Sequence, residues 1–440
     1  MRYTNKQILK ITYPVLISLL MEHMIGLTDT AYLGRVGEVE LGASALAGVY
    51  YLVIYMLGFG FSVGAQVMIA RRNGEKEYSR IGEVFTQGSI FLIFLAALLF
   101  MASRLITPEL LGYIINSEDV YKATMSYLDW RVYGFFFSFI AVMFRAFYVG
   151  VTNTKILTAN SVVMVLTNVV LNYILIFGKL GMPALGIAGA AIASSISEAV
   201  SVMFFIIYTW KKVDYNKYGL FRLVTVDYRM LRQILSVSVW VMIQHGIAFA
   251  GWFVFFIAME HLGERSLAIT NVVRSISAFL FMFVNAFAST NSSLVSNLIG
   301  AGESDMVLPL CRKMIKLSYS FVLPLAISIA IFPEAVLHIY TDNQELIAGA
   351  VPSLWVMLSS YLLAVPGFIY FFSVSGTGNT SRALMIDMIS ISVYVMYILI
   401  VAVWAKSNVA VCWTTEHVYN GMILMSFLYL RSGKWRGKSI

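Results

Sequence analysis

The chain has 440 residues, of which 59% are hydrophobic and 12% charged, with a formal net charge of +8. A soluble domain carries roughly 45–50% apolar and about 25% charged residues, so this composition excludes a water-soluble globular protein and indicates a bilayer. No polar stretch is long enough to form a separate soluble domain.

Apolar runs approaching the ~20 residues that cross a ~30 Å hydrocarbon core predict spans near 11–33, 42–69, 85–107, 125–148, 157–178, 184–209, 233–258, 267–295, 314–336, 352–374, 384–404 and 409–430. The runs are continuous rather than alternating, which excludes a transmembrane β-barrel. The predicted fold class is an all-α polytopic membrane protein with twelve transmembrane helices. The first span is too long, and too polar at Glu22, His23 and Asp29, for a cleaved signal peptide.

That first span contains EHMIGLTDTAYLG (22–34), with no Lys or Arg between Lys10 and Arg35. Asp29 follows Glu22 by two helical turns, so both point to nearly the same face, with His23 one position off that line. In the fifth span Asn168 and Asn172 are four apart and stack on one face. In the sixth, GIAGAAIASS (186–195) offers a small-residue face for close helix approach, with the hydroxyls of Ser194 and Ser195 near it. If these three helices meet, Asp29, Asn168, Asn172 and a serine form a cluster able to hold a proton or a small hard cation. Desolvation favours the neutral acid and hydration the carboxylate, so such a group can change charge as a carrier turns over. A charge at mid-membrane is otherwise costly and is tolerated chiefly when it faces protein or a water-filled cavity. Further intramembrane groups are Asp129, Arg131, Arg145, Glu198, Arg274, Asp387, Glu416 and His417. Asp387 and Glu416 are candidates for negative charge in the second half, and Glu22, His23, Gln244 and His245 for secondary coupling or cavity lining. Two histidines without acidic or thiol partners make a poor metal site, and Cys311 and Cys412 alone form neither a disulfide scaffold nor a thiolate cluster.

Lys and Arg collect in alternate loops, at Arg2, Lys6 and Lys10, then at Arg71, Arg72, Lys76 and Arg80, then at Lys155. They recur at Lys211, Lys212, Lys217, Arg222 and Arg229, at Arg312, Lys313 and Lys316, at Arg382, and at Arg431, Lys434, Arg436 and Lys438. Positive loops are retained in the cytoplasm, so both termini are expected there. The same asymmetry accounts for the net charge and lends no support to nucleic-acid binding.

The polar interval 211–232 divides the chain almost in half, giving an expected six-helix lobe at 1–210, a cytoplasmic linker at 211–232 and a second six-helix lobe at 233–440. Weak matches link the halves: Met21–Glu22–His23 with Ile243–Gln244–His245, RNGE (72–75) with GAGE (300–303), and GVTNT (150–154) with GTGNT (376–380). An even number of helices per half makes the two copies parallel, a plan in which lobes can rock around a central cleft. The 30 Phe, 25 Tyr, 8 Trp and 23 Met mostly reflect lipid contact and interfacial belts. A cleft lined by the surplus suits a planar, lipophilic cation.

Pro14 followed by LTDTAYLGRVG (27–37), then VGAQVMIARRNGE (63–75), GVTNT (150–154), LTNVVLNYILIFG (166–178) and LGIAGAAIASS (185–195), resembles the multidrug and toxic compound extrusion (MATE) transporters, and its DinF-like branch in particular. The resemblance covers the whole chain. It implies two six-helix bundles forming a V-shaped cleft, and export of amphipathic organic cations by alternating access in exchange for H⁺ or Na⁺. It implies no cofactor, and places the ion-coupling residues at Asp29, Asn168, Asn172 and Ser194, with any Na⁺ held by the first three. The branch pattern has an acid where this chain has Asn172, which weakens a Na⁺ cage and leaves Asp29 able to take a proton. The seventh helix, SVWVMIQHGIAFAGWFVFF (238–256), lacks the acid that other branches carry there. H⁺ is therefore expected over Na⁺. The expected setting is the cytoplasmic (inner) membrane, as a monomer among lipids, with small organic cations as partners and no nucleic acid.

The loop RRNGEKEYSR (71–80) lacks the GxxxDRxGRR-like element of major-facilitator carriers. A flippase for a lipid-linked or other amphipathic substrate is the alternative, distinguished by a basic cleft. An integral membrane enzyme is disfavoured, because HExxH and metal-spaced histidines are missing from the sequence. A passive channel or structural membrane protein would fail to move solute against its gradient.

Overall fold

The computed structural model describes residues 3–115, 117–222 and 225–437, so the charges at Arg2 and Lys438 lie outside the described residues. Among these the fold is helical without strands. Its helices are α1 (Asn5–Leu33), α2 (Glu38–Glu75), α3 (Tyr78–Leu105), α4 (Thr107–Ile114), α5 (Glu118–Arg131), α6 (Gly134–Gly150), α7 (Lys155–Phe177), α8 (Gly186–Lys212) and α9 (Tyr215–Tyr218). They continue as α10 (Tyr228–His261), α11 (Glu264–Gly300), α12 (Val307–Ile331), α13 (Pro333–Leu337), α14 (Gln344–Gly376), α15 (Thr380–Ile398), α16 (Val409–Cys412), α17 (Thr415–Ile423) and α18 (Met425–Arg431). A π-helical turn, Leu399–Trp404, extends α15.

Ten of these segments are long and apolar enough to cross a membrane, and α5 with α6, bent by 52° at a short break, makes an eleventh. The apolar run expected as the twelfth span is divided into α16, α17 and α18. The junction residues Trp413 (φ −66, ψ −14), Thr414 (φ −63, ψ −15) and Leu424 (φ −60, ψ −18) all keep right-handed helical dihedrals. The segment is thus one helical course whose backbone hydrogen bonds tighten to i→i−3 at two places, as from Glu416 to Trp413 and from Phe427 to Leu424, about 34 Å long at 1.5 Å per residue.

The chain forms two compact units, Tyr13–Met242 and Met1–Thr12 with Ile243–Ile440. The first boundary falls inside α1 beside Pro14, which cannot donate the backbone hydrogen bond to the preceding turn. Described residues of the polar interval are docked on the first unit: Gln87 of α3 donates to the Thr225 carbonyl at 2.9 Å and accepts from the Asp227 amide at 3.1 Å. Lys217 lies 4.1 Å from the centre of the Tyr78 ring.

The two halves repeat with one register. Residues at positive φ, where L side chains are strained, recur 226 positions apart: Lys76 (φ 63) and Gly302 (φ 78), Thr152 (φ 61) and Gly378 (φ 86), Leu180 (φ 55) and Lys406 (φ 44). Burial follows the same step, with Ile8, Ile11, Val15 and Leu33 of α1 matched by Ile234, Val237, Val241 and Met259 of α10. KQIL (6–9) and RQIL (232–235) carry this register in sequence. The match of His23 to His245 is therefore one turn out of register, and RNGE to GAGE two residues out, as short matches in apolar helices readily are. Packing repeats too: α2 packs on α6 and α7 on α8 in the first unit, α11 on α14 and α15 on α17 in the second. In both halves a glycine lets two helices close on each other, Gly150 against the Gln66 carbonyl and Gly376 against the Ser292 carbonyl.

Candidate functional site

Three helices of the first unit converge on Asp29. Asn172 of α7 donates from Nδ2 to Asp29 Oδ1 at 2.5 Å, and Ser194 of α8 donates from Oγ to Asp29 Oδ2 at 3.3 Å. Asn172 Nδ2 also reaches Asn168 Oδ1 at 3.0 Å, and Asn168 Nδ2 reaches Ser194 Oγ at 3.1 Å. The helical four-residue step puts the two amides on one face of α7, and Gly189 lets α8 approach them: a Cβ there would lie 2.6 Å from the Leu175 carbonyl oxygen. Both asparagines are fully buried, while Asp29 is half-buried. Counting 24 residues from Asn5, Asp29 sits about 36 Å along α1, toward its far end.

Asp29 forms no direct ion pair among the described residues, and Asn172 Oδ1 is buried without a hydrogen-bond partner. The cluster therefore has one acid, neutral donors around it and one idle acceptor. Ser195, the other hydroxyl the sequence offered, turns away and donates to the Trp130 carbonyl at 3.1 Å.

The other polar residues within the spans lie apart from this cluster or border it. Glu22 accepts from Ser18 at 3.2 Å and pairs with Arg145 of α6 at 3.5 Å. His23 is exposed, and Gln244 and His245 are half-buried, with Gln244 Oε1 unpartnered. In the second unit, buried Asp387 accepts from the Tyr419 hydroxyl at 2.8 Å, and half-buried Glu416 from the Tyr394 hydroxyl at 3.5 Å. The two tyrosine rings meet edge to face at 5.9 Å, so both carboxyls belong to one cluster between α15 and α17. Arg274 has aromatic company, 4.5 Å from the centre of the Phe256 ring. Arg104 holds Asp129 at 2.5 Å. Sequence gave no sign of these partners, because apolar helices specify a face without specifying which neighbour it meets.

Among the described residues no group of three or more His, Cys, Asp and Glu is placed to hold a metal ion. A hard cation asks for a cage of oxygens. Around Asp29 the uncommitted supply is small: Asn168 Oδ1 is taken up by Asn172, leaving Asn172 Oδ1 and lone pairs of Asp29 and Ser194. A proton needs only the carboxylate. Once Asp29 carries it, the acid gains an O–H donor, and the cluster holds one idle acceptor, Asn172 Oδ1.

The MatE family model matches residues 14–174 and 247–401. Similar proteins include a probable multidrug resistance protein NorM of Thermotoga maritima, 24% identical, with 99% of this chain and 94% of that protein covered. Another is the probable multidrug resistance protein YoeA of Bacillus subtilis, 25% identical over 80% of this chain and 76% of that protein. Among solved structures, the outward-facing form of a multidrug resistance MATE family transporter of the MOP superfamily superimposes with a TM-score of 0.90, at 19% identity, covering 97% of this chain and 95% of that one. A MOP superfamily transporter from Pyrococcus furiosus gives 0.89 at 19% identity, covering 97% and 95%.

Proposed function

Because the chain belongs to the MatE family, we propose that it is a secondary antiporter exporting amphipathic organic cations in exchange for H⁺. The observation that carries the coupling half of this reading is the Asp29 cluster, a single carboxyl with hydrogen bonds from Asn172 and Ser194 and an idle acceptor on Asn172. The substrate class comes from the related multidrug resistance proteins, with the chain's aromatic and Met content consistent with it.

In this reading a proton arriving from outside neutralises Asp29 and removes the penalty for enclosing the carboxyl. Its release to the cytoplasm restores the charge, and the coupled changes alternate access for the drug. The proton gradient supplies the energy, so the cycle uses no cofactor. The protein works as a monomer in the cytoplasmic membrane with both termini inside, and lipid rather than nucleic acid is its surroundings. Asp387 and Glu416 are the protonatable groups of the second unit, secondary to Asp29.

Bacteria stripped of their own exporters and expressing this chain should accumulate several-fold less ethidium than vector controls. Unchanged ethidium, together with movement of an anionic lipid-linked sugar, would place the protein among flippases instead.

The hydrogen-bonding shell makes a graded prediction. A hydrogen bond to a charged group is worth about 1.5–3 kcal/mol, so Asn172→Ala, which deletes the closest donor to Asp29, should slow efflux by roughly ten- to a hundredfold. Asn168→Ala, which acts through its neighbours, should slow it less. Equal rates for both variants and wild type would remove the shell from the mechanism. Asn172→Asp supplies a second carboxylate, and the expected result is transport that a Na⁺ gradient helps to drive.

A further inference from the structure

One turn beyond Ser194 on α8, Glu198 receives two hydrogen bonds from Arg131, Nη1 to Oε2 at 2.9 Å and Nη2 to Oε1 at 2.7 Å. Tyr51 of α2 donates to the same carboxylate at 3.0 Å, and the Arg131 guanidinium lies 3.5 Å from the centre of the Tyr51 ring. The pair is largely enclosed, with side chains 10% and 15% exposed. It sits where α5 breaks from α6, and Gly134 makes the room, since a Cβ there would collide with Arg131 Nη1 and Glu198 Oε2.

A buried ion pair is weak evidence of a stabilising role, because desolvation can exceed the Coulombic gain. This pair has a neighbour for which charge matters. Toward Asp29, α5 presents Tyr127 and Arg131, Tyr51 of α2 and Glu198 of α8 flank that guanidinium, and α7 and α8 present the neutral Asn168, Asn172 and Ser194. The positive charge whose field reaches Asp29 is that of Arg131. Tyr127, one turn before Arg131, lies in the fields of both Arg131 and Asp29.

We propose that Glu198 is a positioning residue for coupling: by holding and neutralising Arg131 it sets the pH at which Asp29 loads and releases its proton. The proposal rests on the reading of Asp29 as the coupling group. With Gln at position 198, the unbalanced guanidinium favours the Asp29 carboxylate, and loading requires a higher proton concentration. Leaving one unit charge unbalanced in a partly buried site shifts such an equilibrium by about one pH unit.

The test is the pH profile of ethidium transport by purified, reconstituted protein. Glu198→Gln should move the profile about one unit toward acid, Glu198→Asp should leave it in place, and Arg131→Gln with Glu198→Gln should return it to the wild-type position. A profile that keeps its position in Glu198→Gln while only its height falls would overturn the proposal. So would a double variant that stays shifted, because a packing role predicts no recovery. If Glu198→Gln does not fold, the double variant decides, an unshifted profile supporting charge balance and a shifted one refuting it. Failure of the underlying reading is seen separately, as Asp29→Asn protein that still transports with wild-type pH dependence.

Discussion

Asp29→Asn should leave a protein that folds, inserts and is purified in wild-type yield, while gradient-driven export of an organic cation falls to the level of cells lacking the protein. The amide has nearly the shape of the carboxyl, and the groups facing it can adapt, since Asn172 is an amide whose ends exchange by rotation and Ser194 has a hydroxyl that both donates and accepts. What the variant loses is the ability to bind and release a proton. Expression checked by fluorescence-detected size exclusion, alongside efflux in the same cells, separates this from misfolding. A well-folded Asn variant with normal efflux would remove Asp29 from coupling.

The second large effect concerns the fold. Gly376→Ala places a Cβ against the Ser292 carbonyl oxygen, with the Ser292 Cα 3.0 Å and carbonyl carbon 3.1 Å away. All three are backbone atoms of α11, so relief requires moving a helix. Gly150→Ala at the repeat-related position meets mainly the Ile69 side chain, with the Gln66 carbonyl oxygen at 3.2 Å. Overpacking typically costs about 1–3 kcal/mol. Gly376→Ala should fall at or above the top of that range and lower the melting temperature in detergent clearly more than Gly150→Ala. Equal melting temperatures for the two variants would contradict the close approach of α11 and α14.

The surroundings of Asp29 show what the sequence could and could not convey. The Asp29 cluster was legible because each of its parts obeys a local rule: a lone acid in an apolar run, two asparagines one turn apart, a small-residue face carrying serines. The choice of Ser194 over Ser195 came from family resemblance, and the structure shows both hydroxyls at work, one on Asp29 and one on the α5 backbone. The Arg131–Glu198 pair was not legible. Its members lie 67 positions apart, and periodicity reports a residue's face, never the helix opposite. The repeat was visible as short matches at unequal steps, one of them, 150–154 with 376–380, at 226, and left-handed backbone positions and burial single that step out. Hydropathy likewise drew 409–430 as one uninterrupted run, being blind to the tightened turns at Trp413, Thr414 and Leu424.

Proton coupling is the central claim, and the most direct measurement of it uses purified protein in sealed proteoliposomes with a pH gradient and a Na⁺ gradient imposed separately. Uphill movement of an ethidium-like cation should occur under the pH gradient alone, with Na⁺ absent, and should vanish in Asp29→Asn. Uphill movement driven by Na⁺ alone, with no response to the pH gradient, would contradict it.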